Sequence, residues 1–290
     1  MKVKQVTFIG LGVMGFPMAG HLSKAGLQVN VYNRTESKAD EWITKYEGKK
    51  FLSPKEASLN SDVIFSCVGN DNDLRSVILG PNGAFSGMNK GSILVDHTTA
   101  SANVAREIYK EAIGLGVGFL DAPVSGGQAG AENGQLSVMV GGDAETFEEV
   151  KNVINIYSKV VQLMGPIGSG QLTKMVNQIC IAGLLQGLSE GVNFAIHSGL
   201  DIDQVINVIS KGAAGSWQME NRAHTMEKGE FDFGFAVKWM LKDLNICLNE
   251  AKLNGSLLPV TALIEQFYSQ VSLKEGGDRW DTSSLITLLK

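Results

Sequence analysis

The sequence has few of the residues that mark several common classes of protein. It contains only three cysteines, Cys67, Cys180 and Cys247, which are far apart and match neither a disulfide framework nor a metal-ligand spacing. Its 25 basic residues form no Lys/Arg block and are outnumbered by 30 acidic ones, which gives a net charge of −5. Binding to a phosphate backbone requires a concentrated basic patch. We therefore expect no metal site and no nucleic acid partner.

Targeting and membrane segments are also lacking. The chain begins with MKVKQVTFIG, which passes directly into a strand-like run without the basic and apolar regions of a signal peptide. Its longest apolar run, ICIAGLL, is far shorter than the roughly 20 residues that cross a bilayer. These features predict a cytoplasmic protein without a membrane partner.

Two patterns of hydrophobicity divide the 290 residues. Up to Gly142, short β-branched runs such as QVTFIG, QVNVY and SILVD alternate with helical segments, which is typical of a mostly parallel, doubly wound sheet. A helix over 144–156 and the strand-like run VVQLMG follow, and then helical periodicity covers segments 171–198, 201–211, 235–253, 259–273 and 283–289. We predict an α/β domain over 1–166 and an all-α domain over 167–290, joined by a long helix after the turn GPIGSG.

Three glycines follow the first strand in the order of a dinucleotide-binding loop. They form G-x-G-x-x-G between that strand and an amphipathic helix, and a second strand follows at the expected distance. The first glycine permits the tight turn, the second lets a pyrophosphate approach the backbone, and the third lets the helix pack on the strand. A plain tight turn would use the same glycines, but this context favours a Rossmann-type domain whose cofactor contacts include Gly10, Leu11, Gly12, Val13, Met14 and Gly15.

The residues after the second strand bear on the choice between NADP and NAD. An Asp or Glu there would bind the ribose 2′-OH of NAD, but the sequence has Asn33, Arg34 and Thr35. An arginine next to two small hydrogen-bonding side chains suits a 2′-phosphate, so NADP is the preferred cofactor and NAD the alternative. A solvent-exposed turn, with Thr35 or Ser37 capping the next helix, would have the same residues.

A nearly isolated lysine stands on the long apolar helix. From Gln171 to Phe194 the only charged residues are Lys174 and Glu190. Asn177 lies three residues after Lys174, so an amine and an amide project from one face, where they could exchange a proton with a ligand and hold it. A solvated surface lysine with its stem on apolar neighbours is the alternative.

A second polar feature is the segment PVSGG. Ser125 offers a hydroxyl, and Gly126 and Gly127 offer backbone N–H groups that no side chain obstructs. Such a group of donors suits a small carboxylate, although an ordinary strand-to-loop turn has the same composition.

Four ordered motifs together resemble the 3-hydroxyacid dehydrogenase family, which includes 3-hydroxyisobutyrate dehydrogenase and tartronate semialdehyde reductase (2-hydroxy-3-oxopropionate reductase). They are IGLGVMGFPMAGHLSKAG, LDAPVSGGQAGAENGQLSVMVGG, GSGQLTKMVNQ and KDLN, and they span nearly the whole chain. The resemblance implies a Rossmann-type domain followed by a helical domain, NAD or NADP without a metal, and a homodimer or homotetramer.

The resemblance also implies roles for particular residues. The catalytic lysine of the family falls on Lys174, and its substrate contacts fall on Ser125, Gly126, Gly127 and Asn177. Further cofactor contacts fall on Val68, Gly69, Thr99 and Lys242. Val68-Gly69 stands where relatives often have Leu-Pro, so the chain departs from the family pattern at this position.

Together these features predict an NAD(P)-dependent oxidoreductase that interconverts a small 3-hydroxy carboxylate and its semialdehyde, with Lys174 as general acid/base. The leading substrates are 3-hydroxyisobutyrate, or tartronate semialdehyde with glycerate. One alternative is a related reductase acting on a serine-like substrate, succinic semialdehyde or an imine. Another is a non-catalytic NADP-binding scaffold. The segment MVNQ after Lys174 lacks the His-Asn pair of a decarboxylating phosphogluconate enzyme.

Overall fold

A computed structural model describes residues 3–289, and the chain divides after Lys174 into two compact units. The strands of the first unit are β1 (Gln5–Ile9), β2 (Gln28–Tyr32), β3 (Lys49–Lys50), β4 (Val63–Ser66), β5 (Ile93–Asp96), β6 (Gly118–Asp121), β7 (Val124–Ser125), β8 (Leu136–Gly142) and β9 (Ser158–Gly165). Its helices are α1 (Gly15–Lys24), α2 (Glu36–Lys45), α3 (Pro54–Ser58), α4 (Asp71–Leu79), α5 (Ala102–Leu115), α6 (Gly127–Glu132) and α7 (Ala144–Ile154). Short 3₁₀ helices cover Ala84–Ser86 and Asn155–Tyr157.

Within residues 3–289 nine strands form one sheet in the order β3-β2-β1-β4-β5-β6-β8-β7, with β9 paired to β8. The strands from β3 to β6 pair in parallel, and so do β8 and β9, whereas β8 is antiparallel to both β6 and β7. The strand order reverses at β1, between β2 and β4. The carboxyl ends of parallel strands at such a reversal form the crevice in which doubly wound proteins bind ligands.

Alternate residues of the central strands are buried on opposite sides of the sheet, as expected where helices cover both faces. Phe8 and Phe65 pack in one hydrophobic cluster with Trp42, while Ile9 and Ile64 pack in another on the opposite face. All residues of β4 and β5 are buried. The α/β prediction for this part of the chain is confirmed.

The second unit consists of helices, as the periodicity predicted. The long helix α8 (Ser169–His197) runs into it from the first unit, and α9 (Ile202–Ile209), α10 (Trp217–Lys228), α11 (Val237–Asn254) and α12 (Pro259–Ser272) follow. Its core includes Tyr268, Met226 and Met240, all fully buried. The last predicted helix, 283–289, is a 3₁₀ helix over Thr282–Leu288.

The first turns of α8 belong to the first unit, so the two units divide several residues after the boundary expected at 166. The hydrogen bonds that join these turns to the strand ends are described below and explain the difference. By length and composition α8 is also able to cross a membrane, with a window of mean hydropathy 1.4, although the core helix of a soluble protein passes the same test. The length of the uninterrupted run ICIAGLL was therefore a poor measure of the apolar character of this helix, which extends well beyond those seven residues.

Candidate active site

The three glycines of the loop between β1 and α1 have different surroundings. Two of them have no space for a side chain, and the third is open to a ligand. Gly10 has a φ of +98°, and a side chain there would overlap the carbonyl oxygen of Cys67. A side chain at Gly15 would overlap the carbonyl oxygen of Gly10. At Gly12, in contrast, no heavy atom of the described chain lies within 4 Å of where a Cβ would stand. This opening is the approach that a pyrophosphate requires.

The N-terminus of α1 suits an anion. Met14 is its N-cap residue and makes no side-chain capping bond, and the first turn of the helix has no acidic residue. The first N–H groups of a helix lack partners within it and carry a partial positive charge. The loop from Gly10 to Gly15, including Leu11 and Val13, therefore fits the diphosphate of a dinucleotide.

Asn33 fastens this loop to the end of β2. Its Oδ1 accepts a hydrogen bond from the backbone N–H of Leu11 at 2.9 Å, and its Nδ2 donates to the carbonyl of Thr35 at 2.9 Å. Thr35 is the N-cap residue of α2, but its side chain makes no capping hydrogen bond there. Helix capping by the side chain therefore does not explain why a threonine stands at this position.

Arg34 is an exposed cation next to this loop. Its side chain is 82% exposed, and its guanidinium forms an ion pair with Asp73 of α4 at 2.7 Å. The Asp73 carboxylate also accepts a hydrogen bond from Asn70. An exposed ion pair of this kind has little stability of its own, so Arg34 can turn to a phosphate at small cost.

Val68 lies after β4 and is held by the end of β5. Its backbone N–H donates to Thr98 Oγ1 at 3.0 Å, and the Thr98 hydroxyl donates to Asp96 Oδ1 at 2.7 Å. The same Asp96 oxygen accepts from Ser66 Oγ at 2.7 Å. Burial raises the pKa of Asp96 to about 7, although these hydrogen bonds act to lower it. This network holds the start of the loop that contains Val68 and Gly69. It also holds Thr98, the residue before Thr99.

The PVSGG segment forms a turn at the edge of the sheet. Ser125 ends β7, where it pairs with Ser137 of β8 and is half-buried. Gly126 and Gly127 follow with φ values of +135° and +60°, and α6 begins at Gly127. Both glycines are exposed, and no heavy atom lies within 4 Å of a Cβ built at Gly127. Because these φ values favour glycine, the backbone N–H groups stay accessible to a small anion.

Lys174 is buried, with 8% of its surface exposed, so it is not the solvated surface lysine of the alternative interpretation. The start of its helix is bonded to β6. Asp121 Oδ1 accepts from the backbone N–H of Gly168 at 2.7 Å, and its Oδ2 accepts from the N–H of Gln171 at 2.9 Å. Burial raises the pKa of Asp121 to about 6, while these backbone hydrogen bonds lower it.

Asn177, one turn after Lys174 on α8, is oriented by a chain of side chains within the second unit. Its Nδ2 donates to Gln178 Oε1 at 2.7 Å, and Gln178 Nε2 donates to Asp243 Oδ2 at 2.6 Å. Lys242 Nζ lies 3.1 Å from the other oxygen of Asp243. Lys242 is thus held beside a buried carboxylate, and the amide of Asn177 has a defined direction.

Among residues 3–289 no group of three His, Cys, Asp or Glu side chains could hold a metal ion. His97 is fully buried between the carbonyl of Ala122 and the hydroxyl of Tyr157, and burial lowers its pKa to about 4. It therefore belongs to the core of the first unit.

The chain is similar to known proteins over nearly its whole length. Residues 5–165 match the family model described as the NAD binding domain of 6-phosphogluconate dehydrogenase. Residues 168–289 match the family model described as NAD-binding of NADP-dependent 3-hydroxyisobutyrate dehydrogenase. An uncharacterized oxidoreductase of Shewanella frigidimarina is 63% identical over 99% of this chain and 98% of its own. The 2-hydroxy-3-oxopropionate reductase of Escherichia coli is 35% identical over 98% and 96%.

Among solved structures, the 3-hydroxyisobutyrate dehydrogenase of Mycobacterium tuberculosis with L-serine superposes with a TM-score of 0.88 at 25% identity, covering 99% of each chain. The chain therefore belongs to the family of NAD(P)-dependent 3-hydroxyacid dehydrogenases. It is an oxidoreductase with an NAD(P)-binding domain, and its family acts on small carboxylates.

Several polar residues that hold these groups in place were not predicted from the sequence. They are Ser66, Asp73, Asp96, Thr98, Asp121 and Gln171. A signal existed for two of them, since Asp96 and Asp121 are single carboxylates at the ends of otherwise apolar strands, where charge is costly unless it is hydrogen-bonded.

Proposed function

We propose that this protein reduces a small semialdehyde carboxylate to the corresponding 3-hydroxy carboxylate with NADPH, and catalyses the reverse oxidation, with Lys174 as general acid/base. The observation that carries the proposal is the placement of Lys174. It is the buried cation of a helix whose start is bonded to the carboxyl end of β6, in a unit that also contains the dinucleotide loop and the Ser125–Gly127 turn.

Bound NADPH would supply the hydride that adds to the carbonyl carbon of the substrate. As the C–H bond forms, the carbonyl oxygen becomes an alkoxide and must gain a proton, which the ammonium group of Lys174 donates. In the oxidative direction the neutral amine accepts the hydroxyl proton.

The carboxylate of the substrate needs hydrogen-bond donors that can reach it from the protein. The proposal assigns this role to the hydroxyl of Ser125 and the exposed backbone N–H groups of Gly126 and Gly127. Asn177, oriented through Gln178, is assigned to a polar group nearer the reacting carbon. Leading substrates are 3-hydroxyisobutyrate and the pair of tartronate semialdehyde and glycerate.

The test is the variant Lys174→Met assayed with a panel of semialdehydes. General acid–base catalysis contributes about 10²- to 10⁴-fold, so turnover should fall by about that factor. NADPH affinity, measured by fluorescence titration, should stay the same. Lys252→Met on α11 removes an exposed lysine and is the control. Near-normal turnover in Lys174→Met would contradict the proposal, and absence of NADPH oxidation by the wild type with every substrate would favour a scaffold.

We also infer a preference for NADP, with Arg34 as the cation for its 2′-phosphate and Asn33 and Thr35 beside it. Support comes from the exposed guanidinium next to the loop and from the absence of a carboxylate at positions 33–35. Arg34→Ala should lower kcat/KM for NADPH by about tenfold or more and leave that for NADH nearly unchanged. Arg75→Ala, which removes another ion-paired arginine of the same unit, is the matched control. Equal losses for both cofactors would refute the assignment.

Further contacts and the state of association complete the proposal. Val68, Gly69, Thr99 and Lys242 are proposed to contact the cofactor. We propose a cytoplasmic homodimer or homotetramer without a membrane or nucleic acid partner. Exposed apolar side chains on the helical unit support association, among them Phe194, Val208 and Leu257. Light scattering after gel filtration measures the mass of the particle. A mass of 31.1 kDa at micromolar protein concentration is that of one chain and would contradict the proposed homo-oligomer.

A further inference from the structure

Gln171 is a buried amide whose two ends are both occupied by backbone. It is 1% exposed in the first turn of α8. Its Nε2 donates to the carbonyl of Thr98 at 2.7 Å, and its Oε1 accepts from the N–H of Ala100 at 3.0 Å. These two bonds bracket Thr99, so one side chain fixes the backbone on either side of a proposed cofactor contact.

The backbone of Gln171 is fixed as well. Its N–H donates to Asp121, which also accepts from Gly168, so the carboxylate holds the start of α8 against the end of β6. The approach is close, because a side chain at Gly170 would overlap the carbonyl oxygens of Met139 and Asp121. A carboxylate at a helix N-terminus is also favoured by the helix dipole.

The bonds continue from Gln171 to the loop after β4. Thr98, whose carbonyl accepts from Gln171, also accepts on its hydroxyl the N–H of Val68. Gln171 precedes Lys174 by three residues, which is nearly one turn of the helix. A continuous path of hydrogen bonds and helical backbone therefore links the loop of Val68 to the turn that carries Lys174.

We propose that Gln171 is a positioning residue that fixes the amine of Lys174 relative to the cofactor-side segments at Val68 and Thr98–Ala100, with Asp121 as its support. The inference builds on the proposed role of Lys174. Proton transfer and hydride transfer must act on the two ends of one carbonyl bond, so an error in the spacing of their donors slows the reaction. A displacement of about 1 Å can cost about 10²-fold in rate.

The experiment compares Gln171→Met with Gln186→Met. Gln186 lies on the same helix and donates to Glu190, so its replacement controls for the substitution itself. We measure kcat, the affinity for NADPH, and the rate of reductive methylation of Lys174 by peptide mass spectrometry. Asp121→Asn is the second variant, in case Gln171→Met does not fold.

Gln171→Met should lower kcat by about 100-fold, keep the NADPH dissociation constant within about threefold, and raise the methylation rate of Lys174 by about fivefold or more. Asp121→Asn should change the same quantities in the same direction. In Gln186→Met all three should remain at the wild-type level. A lower kcat with nearly unchanged NADPH affinity would not follow from a general loss of folded protein, because unfolding lowers kcat and NADPH binding together.

Two results would overturn the proposal. One is a Gln171→Met variant, or in its place Asp121→Asn, with wild-type kcat and wild-type methylation of Lys174. The other is a loss confined to NADPH affinity, which would make Gln171 a residue of the cofactor site. Because methylation of Lys174 needs no substrate, it tests positioning even if the semialdehyde panel or Lys174→Met contradicts the proposed reaction.

Discussion

Replacing Asp96 with asparagine should change how the stability of the protein depends on pH. Asp96 ends β5 and is fully buried, and burial raises the pKa of its carboxyl to about 7. Hydrogen bonds from Thr98 and Ser66 lower this pKa, and the charge of Asp121 raises it further, but burial has the largest effect. An asparagine cannot ionise, and its oxygen can still accept the hydrogen bonds from Ser66 and Thr98.

The sign follows from the protons that each state binds. An aspartate in the unfolded chain has a pKa near 3.9, so between about pH 4 and pH 7 native Asp96 keeps a proton that the unfolded chain has released. The resulting stabilisation is complete below about pH 4 and is lost as the pH rises through about 7.

The expected change between pH 5 and pH 8 is about 3 kcal/mol, because the pH rises by about two units before Asp96 ionises at about 7 and each unit is worth about 1.4 kcal/mol. Asp121, with a pKa of about 6, should add a loss of about 1 kcal/mol. His97, whose pKa is lowered to about 4, should act in the opposite direction by about 2 kcal/mol. Both effects are common to the wild type and the variant and cancel in their difference.

The assay is urea unfolding of both proteins at several pH values, followed by circular dichroism. From pH 5 to pH 8 the free energy of unfolding of Asp96→Asn should rise relative to the wild type by about 3 kcal/mol. Asp278→Asn makes the same chemical change at an exposed position and should stay parallel to the wild type. Parallel curves for Asp96→Asn would refute the view that burial keeps this carboxyl protonated.

Three further substitutions test the site. Gly15→Ala should abolish NADPH binding in a fluorescence titration, because the added Cβ would overlap a loop carbonyl, whereas Gly187→Ala, with no atom within 4 Å, should bind normally. Asn33→Asp keeps the acceptor for the loop but adds a charge, so the kcat/KM ratio of NADPH to NADH should fall by about tenfold. Asp243→Ala removes the acceptor that orients the Asn177 amide through its neighbour, so kcat should fall by about tenfold; an unchanged kcat would contradict this role.

The parts of the molecule that the sequence predicted well are those with local signals. The glycines of the first loop, the apolar strands and the long helix each follow from spacing and composition within about 10 to 30 residues. Edge strand β3, with only two residues, carries no such signal. The antiparallel pairing of β8 with β6 was also beyond reach, because periodicity shows that a strand exists but not which neighbour it pairs with.

The positioning residues were missed for a related reason. Asp121 and Gln171 are 50 residues apart, and Gln171 and Thr98 are 73 apart, so only the folded chain shows that they are bonded. Lys174 could be singled out because a lone charge on an apolar helix is conspicuous in a sequence. A glutamine one turn earlier is not, although it is the more completely buried of the two.

The segment from Asp121 to Gly127 bears on the size of the proposed substrate. At one end Asp121 fixes the start of α8 and so the helix turn of Lys174, and at the other Ser125 and the two glycines offer donors to a carboxylate. Both proposed contacts thus depend on one stretch of seven residues, with Ser125 paired to β8. A short, braced connection of this kind favours substrates whose carboxylate and carbonyl are separated by a fixed, small number of bonds. Chain length should therefore affect turnover more strongly than the substituent on the carbon between them.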